Sequence, residues 1–295
     1  MATLRELKGR IGSVASSEKI TGVMRMTSSA KMHKAEQKLK QLVPFRSQVE
    51  TIIGNLLSAD ATFSSPLVEE REVKNVTVVV WGSDDGLCGA YNVNIYKQLV
   101  ALLGRLREEL GAKAEITIIP VGAKMAKATR KLSLPQVAVT EIEGVGAKSG
   151  DNVVKEFTKT LVERYLSEET DRIELLYMNF QSVSRQRPRV DRLIPATTEA
   201  LGSSEETNSS RPYLFEPDAN VIFNKVLPLF ILSVMQEVFC ENQASEQAAR
   251  VMAMQSANDN AKKLLDQLRL EYNKLRQQSI TTELLDIVGG QVKQS

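Results

Sequence analysis

The sequence predicts an α/β protein in which a long antiparallel coiled coil, formed by the two ends of the chain, carries an inserted domain with a mostly parallel sheet. Three observations predict it: heptad-spaced apolar residues near both ends, alternating strand-like and helix-like segments between them, and enough apolar residues, 42% of 295, for a sizeable core. We expect an N-terminal coiled-coil helix over residues 1–58, the inserted domain over 70–216 and a C-terminal coiled-coil helix over 217–290.

The N-terminal segment has one proline, Pro44, and a repeat of mainly apolar residues. A weak repeat opens the segment with Leu4, Leu7, Ile11 and Val14. A clearer one, with steps of four and three, comprises Ala35, Leu39, Leu42, Arg46, Val49, Ile53 and Leu56. Residues 1–58 also carry ten Lys and Arg against four Asp and Glu. Such a basic helix is typical of a surface for nucleic acid, anionic lipid or an acidic protein, or of a solvated face.

The C-terminal segment opens at Pro217 and Asp218, with Pro228 close enough to its start to kink a helix without ending it. Its predicted seam comprises Ala257, Ala261, Leu264, Leu268, Tyr272 and Leu275. A long helix with one narrow apolar stripe is not stable alone, so the two stripes should pack on each other, antiparallel; a plain helical bundle is the alternative. The last turns should extend beyond this pairing and expose an apolar tip that includes Leu284, Leu285, Ile287 and Val288.

The inserted domain alternates strand and helix patterns. Strands are predicted over 76–81, 114–122 and 136–142, and helices over 91–110, 123–132 and 150–166. Two further strands, over 172–180 and 187–195, are joined by a polar hairpin. This order predicts a mostly parallel sheet that is covered by helices and has an antiparallel strand at its edge.

The string "WGSDDGLCGAYN", residues 81–92, follows the first strand, where doubly wound proteins bind phosphate. It has neither G-x-G-x-x-G spacing nor the Lys and Ser/Thr of a Walker loop, and its two carboxylates would repel a phosphate. We therefore expect no nucleotide or other cofactor here. Asp84 or Asp85 should instead cap the helix that follows, while Gly86 and Gly89 permit the turn.

An enzyme that uses Asp84, Asp85 or Cys88, with the helices as an interaction platform, is the alternative function. Cys88 lacks a base, because the only histidine, His33, lies on the N-terminal helix, and adjacent carboxylates on a turn point in different directions. Two cysteines, Cys88 and Cys240, are too few for a disulfide framework or a zinc site, so no metal is expected. The enzyme hypothesis predicts activity in the isolated chain that Cys88→Ala abolishes.

Two further classes of function are not favoured. Aromatic residues make up only 5% of the chain and the basic charges are spread along a helix without a reading module, so we expect no nucleic-acid partner. The chain has no run of about 18 apolar residues and no secretory signal pattern at its start, so we expect no direct membrane span.

Three blocks, residues 10–39 ("RIGSVASSEKITGVMRMTSSAKMHKAEQKL"), 82–95 ("GSDDGLCGAYNVNI") and 244–290, resemble the gamma subunit of F-type ATP synthases of the bacterial type. The resemblance implies that the coiled coil is a central rotor shaft inside a hexamer of alpha and beta subunits, with a Rossmann-like domain nearer the membrane. The subunit would do no chemistry, and would couple ion-driven rotation of the membrane c-ring to ATP synthesis or hydrolysis in the beta subunits. It also implies an epsilon subunit as partner, one copy per complex, and a peripheral location on the cytoplasmic face of the bacterial inner membrane.

The resemblance also implies partner contacts at particular positions. Those with the beta subunits are Met24, Arg25, Arg276, Gln277 and Thr281, and those with the hexamer collar are Ile287 and Val288. The foot near the c-ring and epsilon comprises Tyr213, Leu214, Phe215 and Glu216, and a further beta contact is expected at Asp84 and Asp85. The alternative for each is an ordinary structural role in the coiled coil or a loop. One departure from the family pattern, which commonly has Lys at this position, is Gly22. It removes a charge and weakens the helix.

Overall fold

The computed structural model describes residues 3–57, 63–111, 113–196 and 215–292, with side chains described as far as residue 285. In chain order the elements are α1 (Leu4–Leu57), β1 (Asn75–Trp81), α2 (Tyr91–Leu110), β2 (Glu115–Val121), α3 (Ala123–Thr129), β3 (Val137–Val139), α4 (Asp151–Leu166), β4 (Arg172–Ser182), β5 (Arg185–Ile194) and α5 (Ala219–Val292). The described residues form two compact units. The helical unit contains those up to Ser28 and from Val251 on, and the α/β unit contains those from Ser29 to Arg250.

The α/β unit is built on a five-stranded sheet with the order β3-β2-β1-β4-β5. Strand β1 is parallel to both β2 and β4, β2 is parallel to β3, and β4 and β5 are antiparallel. The mostly parallel sheet with one antiparallel edge strand is therefore confirmed. The hairpin is tighter than predicted, because β5 begins at Arg185 and carries Pro188 within the strand. A proline is tolerated there because an edge strand leaves one side of its backbone unpaired.

Each face of the sheet has its own apolar core. On one face, Val76, Val78 and Val80 of β1 pack against the leucine-rich side of α2. On the other, Val79 and Trp81 belong to a cluster that the end of α1, helix α4 and the start of α5 complete. Because helices cover both faces of the sheet, the side chains of β1 are buried whichever face they point to. This explains the continuous apolar run of the strand.

Helix α5 contains an 18-residue window with a mean hydropathy of 1.5, long and apolar enough to cross a membrane by length and composition alone. No unbroken apolar run of this length occurs in the sequence, so the window was not predicted from it. Of its residues, 39% are buried inside the protein. The apolar character has a structural explanation, since Phe223, Leu227, Phe230 and Ile231 near the start of α5 are buried in the core cluster.

The helical unit pairs α1 and α5 in antiparallel directions. The Asn258 side chain of α5 bonds to Glu18 of α1, and Leu275, further along α5, shares a groove with Leu4 near the start of α1. The antiparallel pairing is thus confirmed. The buried positions contributed by α5 are Met254, Asn258, Leu265 and Leu268.

The predicted seam of α5 was wrong at Leu264, whereas Ala257 is half-buried. Leu264 is 40% exposed, whereas its neighbour Leu265 is 7% exposed. Successive residues of a helix lie about 100° apart, so the apolar residues here define two competing stripes. The structure uses the stripe that contains the polar Asn258, which an apolar repeat does not identify.

Two adjacent isoleucines of α1 test the core of the α/β unit. Ile53 is fully buried in the core cluster, whereas Ile52 is 45% exposed. We expect Ile53→Ala to lower the free energy of unfolding by about 2–5 kcal/mol, because it removes buried methylenes and leaves a cavity. Ile52→Ala is the matched control, with a change within about 0.5 kcal/mol in urea denaturation. Equal effects of the two substitutions would contradict this packing.

Candidate functional site

The carboxyl ends of β1 and β4 form the crevice where a doubly wound sheet would bind a ligand. From β1 the chain moves outward to β2 and β3, and then returns to place β4 on the other side of β1. The topological switch point therefore lies between β1 and β4, which is the usual ligand position in such folds. Residues 82–90, the loop after β1, lie at this edge.

Side chains of α5 occupy this crevice. The Asn242 amide Nδ2 donates to the carbonyl oxygen of Gly82, just after β1, at 3.4 Å. The Ser245 hydroxyl donates to the carbonyl oxygen of Met178, near the end of β4, at 2.9 Å. Asn242 and Ser245 are fully buried. The chain thus fills its own ligand position with a helix, and the buried polar groups there already have partners.

Arg250 of α5 binds the loop after β1 from the same side. Its guanidinium donates to the carbonyl oxygens of Asp85 and Gly86 at 3.3–3.4 Å and to the Glu246 carboxylate at 2.6 Å. A phosphate-binding loop presents N–H groups to its ligand. Here the loop presents carbonyl oxygens to a cation, which is the opposite polarity. The loop that lacks nucleotide-binding motifs in its sequence thus also directs carbonyl oxygens, and not N–H groups, toward its neighbour on α5.

The two carboxylates of the loop have separate tasks. Asp84 Oδ1 accepts the N–H of Ala123, the first residue of α3, at 3.2 Å and that of Ala147 at 3.3 Å. The expected cap of the following helix was wrong, because α2 begins without a side-chain cap and Asp84 reaches α3 instead. Asp85 is exposed and pairs with Lys148, which lowers the pKa of the Asp85 carboxyl.

Cys88 is a packed residue. Its side chain is 3% exposed and lies 3.7 Å from the Ser83 hydroxyl and 3.4 Å from the Asn92 amide nitrogen. Neither neighbour is a base that would generate a thiolate. Within residues 3–57, 63–111, 113–196 and 215–292 there is also no group of three or more His, Cys, Asp or Glu that could hold a metal ion. The geometry gives no support to the enzyme hypothesis.

The residues of α5 that contact the sheet edge were not predicted from the sequence. The signal was present in "ENQASEQAAR", residues 241–250, where polar residues recur at helical spacing directly after an apolar stretch. Alone, this pattern is indistinguishable from a solvated helix face. Its partners are backbone carbonyls, which no sequence pattern locates.

In the helical unit, Met24 and Arg25 are both half-buried. The Arg25 guanidinium donates to the side-chain oxygen of Gln255 on α5. The exposed apolar residues of this stretch are their neighbours Ile20, Val23 and Met26. The structure thus ties Arg25 to the coiled coil.

Arg276, Gln277 and Thr281 are exposed. Gln277 and Thr281 line a groove of about 1030 Å³ together with Thr3 and Leu4 at the start of α1, whereas Arg276 does not line it. The apolar tip is exposed at Leu284 and Leu285, at 58% and 66%. The backbone is helical through Ile287 and Val288, whose side chains lie outside those described.

The four predicted foot residues are only partly described. Tyr213 and Leu214 lie outside the described residues. Phe215 is half-buried and packs against the core cluster that contains Trp81, whereas Glu216 is exposed. Phe215 therefore contributes to the core of the α/β unit.

Glu241 of α5 is a buried carboxylate at the same sheet edge, 7% exposed. The amide nitrogen of Asn179, in the second half of β4, donates to both of its oxygens at 3.0 Å. Burial and, to a smaller extent, the nearby Glu237 charge raise the pKa of this carboxyl to about 7, against the lowering effect of the Asn179 bond.

This pKa makes stability pH-dependent. The folded protein holds the Glu241 proton more tightly than the unfolded chain, so its contribution to the free energy of unfolding falls as pH rises from about 4.5 to about 7. We expect Glu241→Gln to match the wild type at pH 4.5 and to be more stable at pH 8, by roughly 2–3 kcal/mol in urea denaturation. The matched control is Glu156→Gln, at an exposed position on α4. A constant difference across this pH range would contradict the assignment.

Comparison with known proteins places this geometry in a family. The family model described as ATP synthase matches residues 3–292. The ATP synthase gamma chain of Phocaeicola vulgatus is 38% identical over 290 residues, covering 98% of this chain and 99% of the relative. That of Bacteroides fragilis is 39% identical over 292 residues, with 98% and 99% coverage.

Solved structures agree in fold. A chain in the structure of the Euglena gracilis mitochondrial ATP synthase, OSCP/F1/c-ring, matches with a TM-score of 0.61 and 21% identity, covering 98% of this chain and 93% of that one. A chain in the central stalk/c-ring structure of the Tetrahymena thermophila enzyme matches with a TM-score of 0.55 and 21% identity, covering 81% and 99%. With a family model that spans nearly the whole chain and gamma-chain relatives close to 40% identity, the chain belongs to the ATP synthase gamma chain family.

Proposed function

We propose that this protein is the central rotor shaft of an F-type ATP synthase, a non-catalytic subunit that couples ion-driven rotation to ATP synthesis or hydrolysis. The observation that carries the proposal is the antiparallel pairing of the two chain ends into a coiled coil with a sparse apolar seam. Its partners are the alpha and beta subunits around the coiled coil, and the epsilon subunit and c-ring at the other end. One copy serves each complex, peripheral to the cytoplasmic face of the bacterial inner membrane.

The surface of the helical unit supports contacts that form and break repeatedly. The basic residues Arg5, Lys8, Arg10 and Lys19 of α1 form no ion pair among the described residues. Exposed ion pairs contribute only about 0–1 kcal/mol each, so a partner's acidic groups can exchange between them as the shaft turns. The side chains of Ile20, Val23 and Met26 are exposed, so each can make a separate apolar contact with a partner.

We place the beta contacts at Met24, Arg25, Arg276, Gln277 and Thr281. The exposure of Arg276, Gln277 and Thr281 supports this assignment directly. For Met24 and Arg25, which are half-buried, we assign the contact to the surface that their exposed neighbours complete. Asp85, exposed beside Lys148, is a further beta contact, whereas Asp84 serves the fold.

The collar contact of Ile287 and Val288 rests on the length of α5. The groove that Leu4 shares with Leu275 marks the start of α1, and α5 continues to Val292. The apolar side chains of Leu284 and Leu285 are exposed in this stretch and need a partner surface. The foot, residues 213–216, we assign to the c-ring and epsilon through Glu216, with Phe215 as its anchor in the core.

Reconstitution tests the proposed function. The purified chain, mixed with alpha and beta subunits, should form a complex with one copy of this chain and steady ATPase activity, and a probe attached to it should rotate under ATP. The chain alone should hydrolyse nothing, since α5 fills the crevice at the sheet edge. Assembly and turnover that are the same with and without this chain would refute the proposal.

Deletion of residues 283–295 tests the tip. We expect assembly or coupling to weaken severalfold while the thermal unfolding of the α/β unit is unchanged, since the removed residues lie outside that unit. The paired substitution Leu284→Ser and Leu285→Ser should act in the same direction. Leu270→Ser, a substitution at another position of the helical unit that is 70% exposed, serves as the control. Unchanged coupling in the deletion variant would refute the partner-facing tip.

A further inference from the structure

A buried asparagine interrupts the seam of the helical unit. Asn258 of α5 is 6% exposed and takes a position between Met254 and Ala261. Its amide nitrogen Nδ2 donates to the carbonyl oxygen of Glu18 at 2.7 Å and lies 3.3 Å from the Thr21 hydroxyl oxygen. Both partners belong to α1, so the side chain joins the two helices with directional bonds inside an otherwise apolar stripe.

Apolar packing alone specifies the pairing of these helices poorly. The repeat of three and four residues in α5 and in the first turns of α1, at Leu4, Leu7, Ile11 and Val14, means that a slip of seven residues toward the start of α1 again sets apolar side chains opposite one another. Such a slip toward the start of α1 would bring Asn258 to Val14 and Ala15 in place of Thr21 and Gly22. The hydroxyl partner is lost in that register, and an amide would be buried with fewer bonds.

Rotation about the axis of α5 is equally underdetermined by apolar residues. Leu264, 40% exposed, and Leu265, 7% exposed, could each supply the leucine of the seam. The stripe through Leu265 is the one that also directs Asn258 toward α1. A polar group at one seam position therefore selects between two faces that hydrophobicity does not distinguish.

We propose that Asn258 is the positioning residue that sets both the register and the rotational setting of α5 against α1, through its bonds to the Glu18 carbonyl and the Thr21 hydroxyl. A polar residue in a coiled-coil seam lowers stability but excludes the pairings in which it is left unbonded. Arg276, Gln277 and Thr281 lie further along the same helix. The register set at Asn258 therefore also determines their axial position relative to α1.

Gly22 lies against this asparagine. A Cβ atom added at Gly22 would lie 3.5 Å from Asn258 Nδ2, which is an ordinary contact distance. The smallest residue therefore lies beside the amide.

The proposal is tested in the full-length chain by distances between two spin labels, with the buried Cys88 and Cys240 replaced by Ala. Labels at Arg5 and Lys263, both exposed, are offset along the axis by roughly 15 Å, since Leu4 lies beside Leu275. A slip of one heptad moves α5 by about 10 Å and changes their separation. The test needs no partner subunit, so its outcome is independent of the proposed function.

We expect Asn258→Leu to keep its helix content and gain thermal stability, but to give a broadened or displaced distance distribution where the wild type gives a single one. Asn258→Asp, which keeps the size but removes the donor, should also lose the single distance. Asn260→Leu and Asn260→Asp, at an exposed position two residues on, are matched controls that should keep it. A wild-type distribution in either Asn258 variant overturns the proposal. So does loss of the helical unit in Asn258→Leu, because Asn258 would then contribute stability and not register.

Discussion

Helix α5 must satisfy buried polar side chains at two places along its length, and the arrangement of the protein depends on the bonds it finds there. At the sheet edge its partners are the backbone carbonyls of Gly82, Met178, Asp85 and Gly86. In the helical unit the partner is the carbonyl of Glu18. Apolar packing supplies most of the favourable free energy but has little directional preference, whereas a hydrogen bond to a particular carbonyl is made in one geometry. The combination holds one helix in a defined position in each of the two units.

Sequence patterns predicted the elements whose signal is local. The run of β1, the mostly parallel sheet that a βαβ alternation implies, and the apolar stripe of α1 all reflect spacing between neighbours in the chain. The prediction failed where a choice depended on a distant partner. The stripe through Leu265 could not be told from the one through Leu264, because both are apolar at helical spacing. The capping role of Asp84 was assigned to the nearest helix, although its acceptor geometry serves Ala123 and Ala147, at least 39 positions away.

The predicted partner-contact residues also show this difference between what a local pattern indicates and what depends on distant residues. Residues carried over from the family resemblance are exposed where they stand on the far part of α5, and partly tied into the fold at Arg25 and Phe215. A motif identifies a residue but does not show how much of its side chain is exposed to a partner once the chain has folded. The two chemistries that the loop after β1 suggested, a nucleophile and a phosphate site, are disfavoured by their surroundings: Cys88 is buried without a base, and the loop presents carbonyls to Arg250.

The filled crevice between β1 and β4 has a consequence for how the fold is used. An enzyme with this sheet alternates between occupied and vacant states, because its ligand diffuses away after each cycle. Here the crevice is filled by α5, which belongs to the same polypeptide. Its effective concentration at the crevice therefore stays high, and α5 cannot diffuse away. A site of transient recognition thereby becomes a permanent joint between α5 and the edge of the sheet.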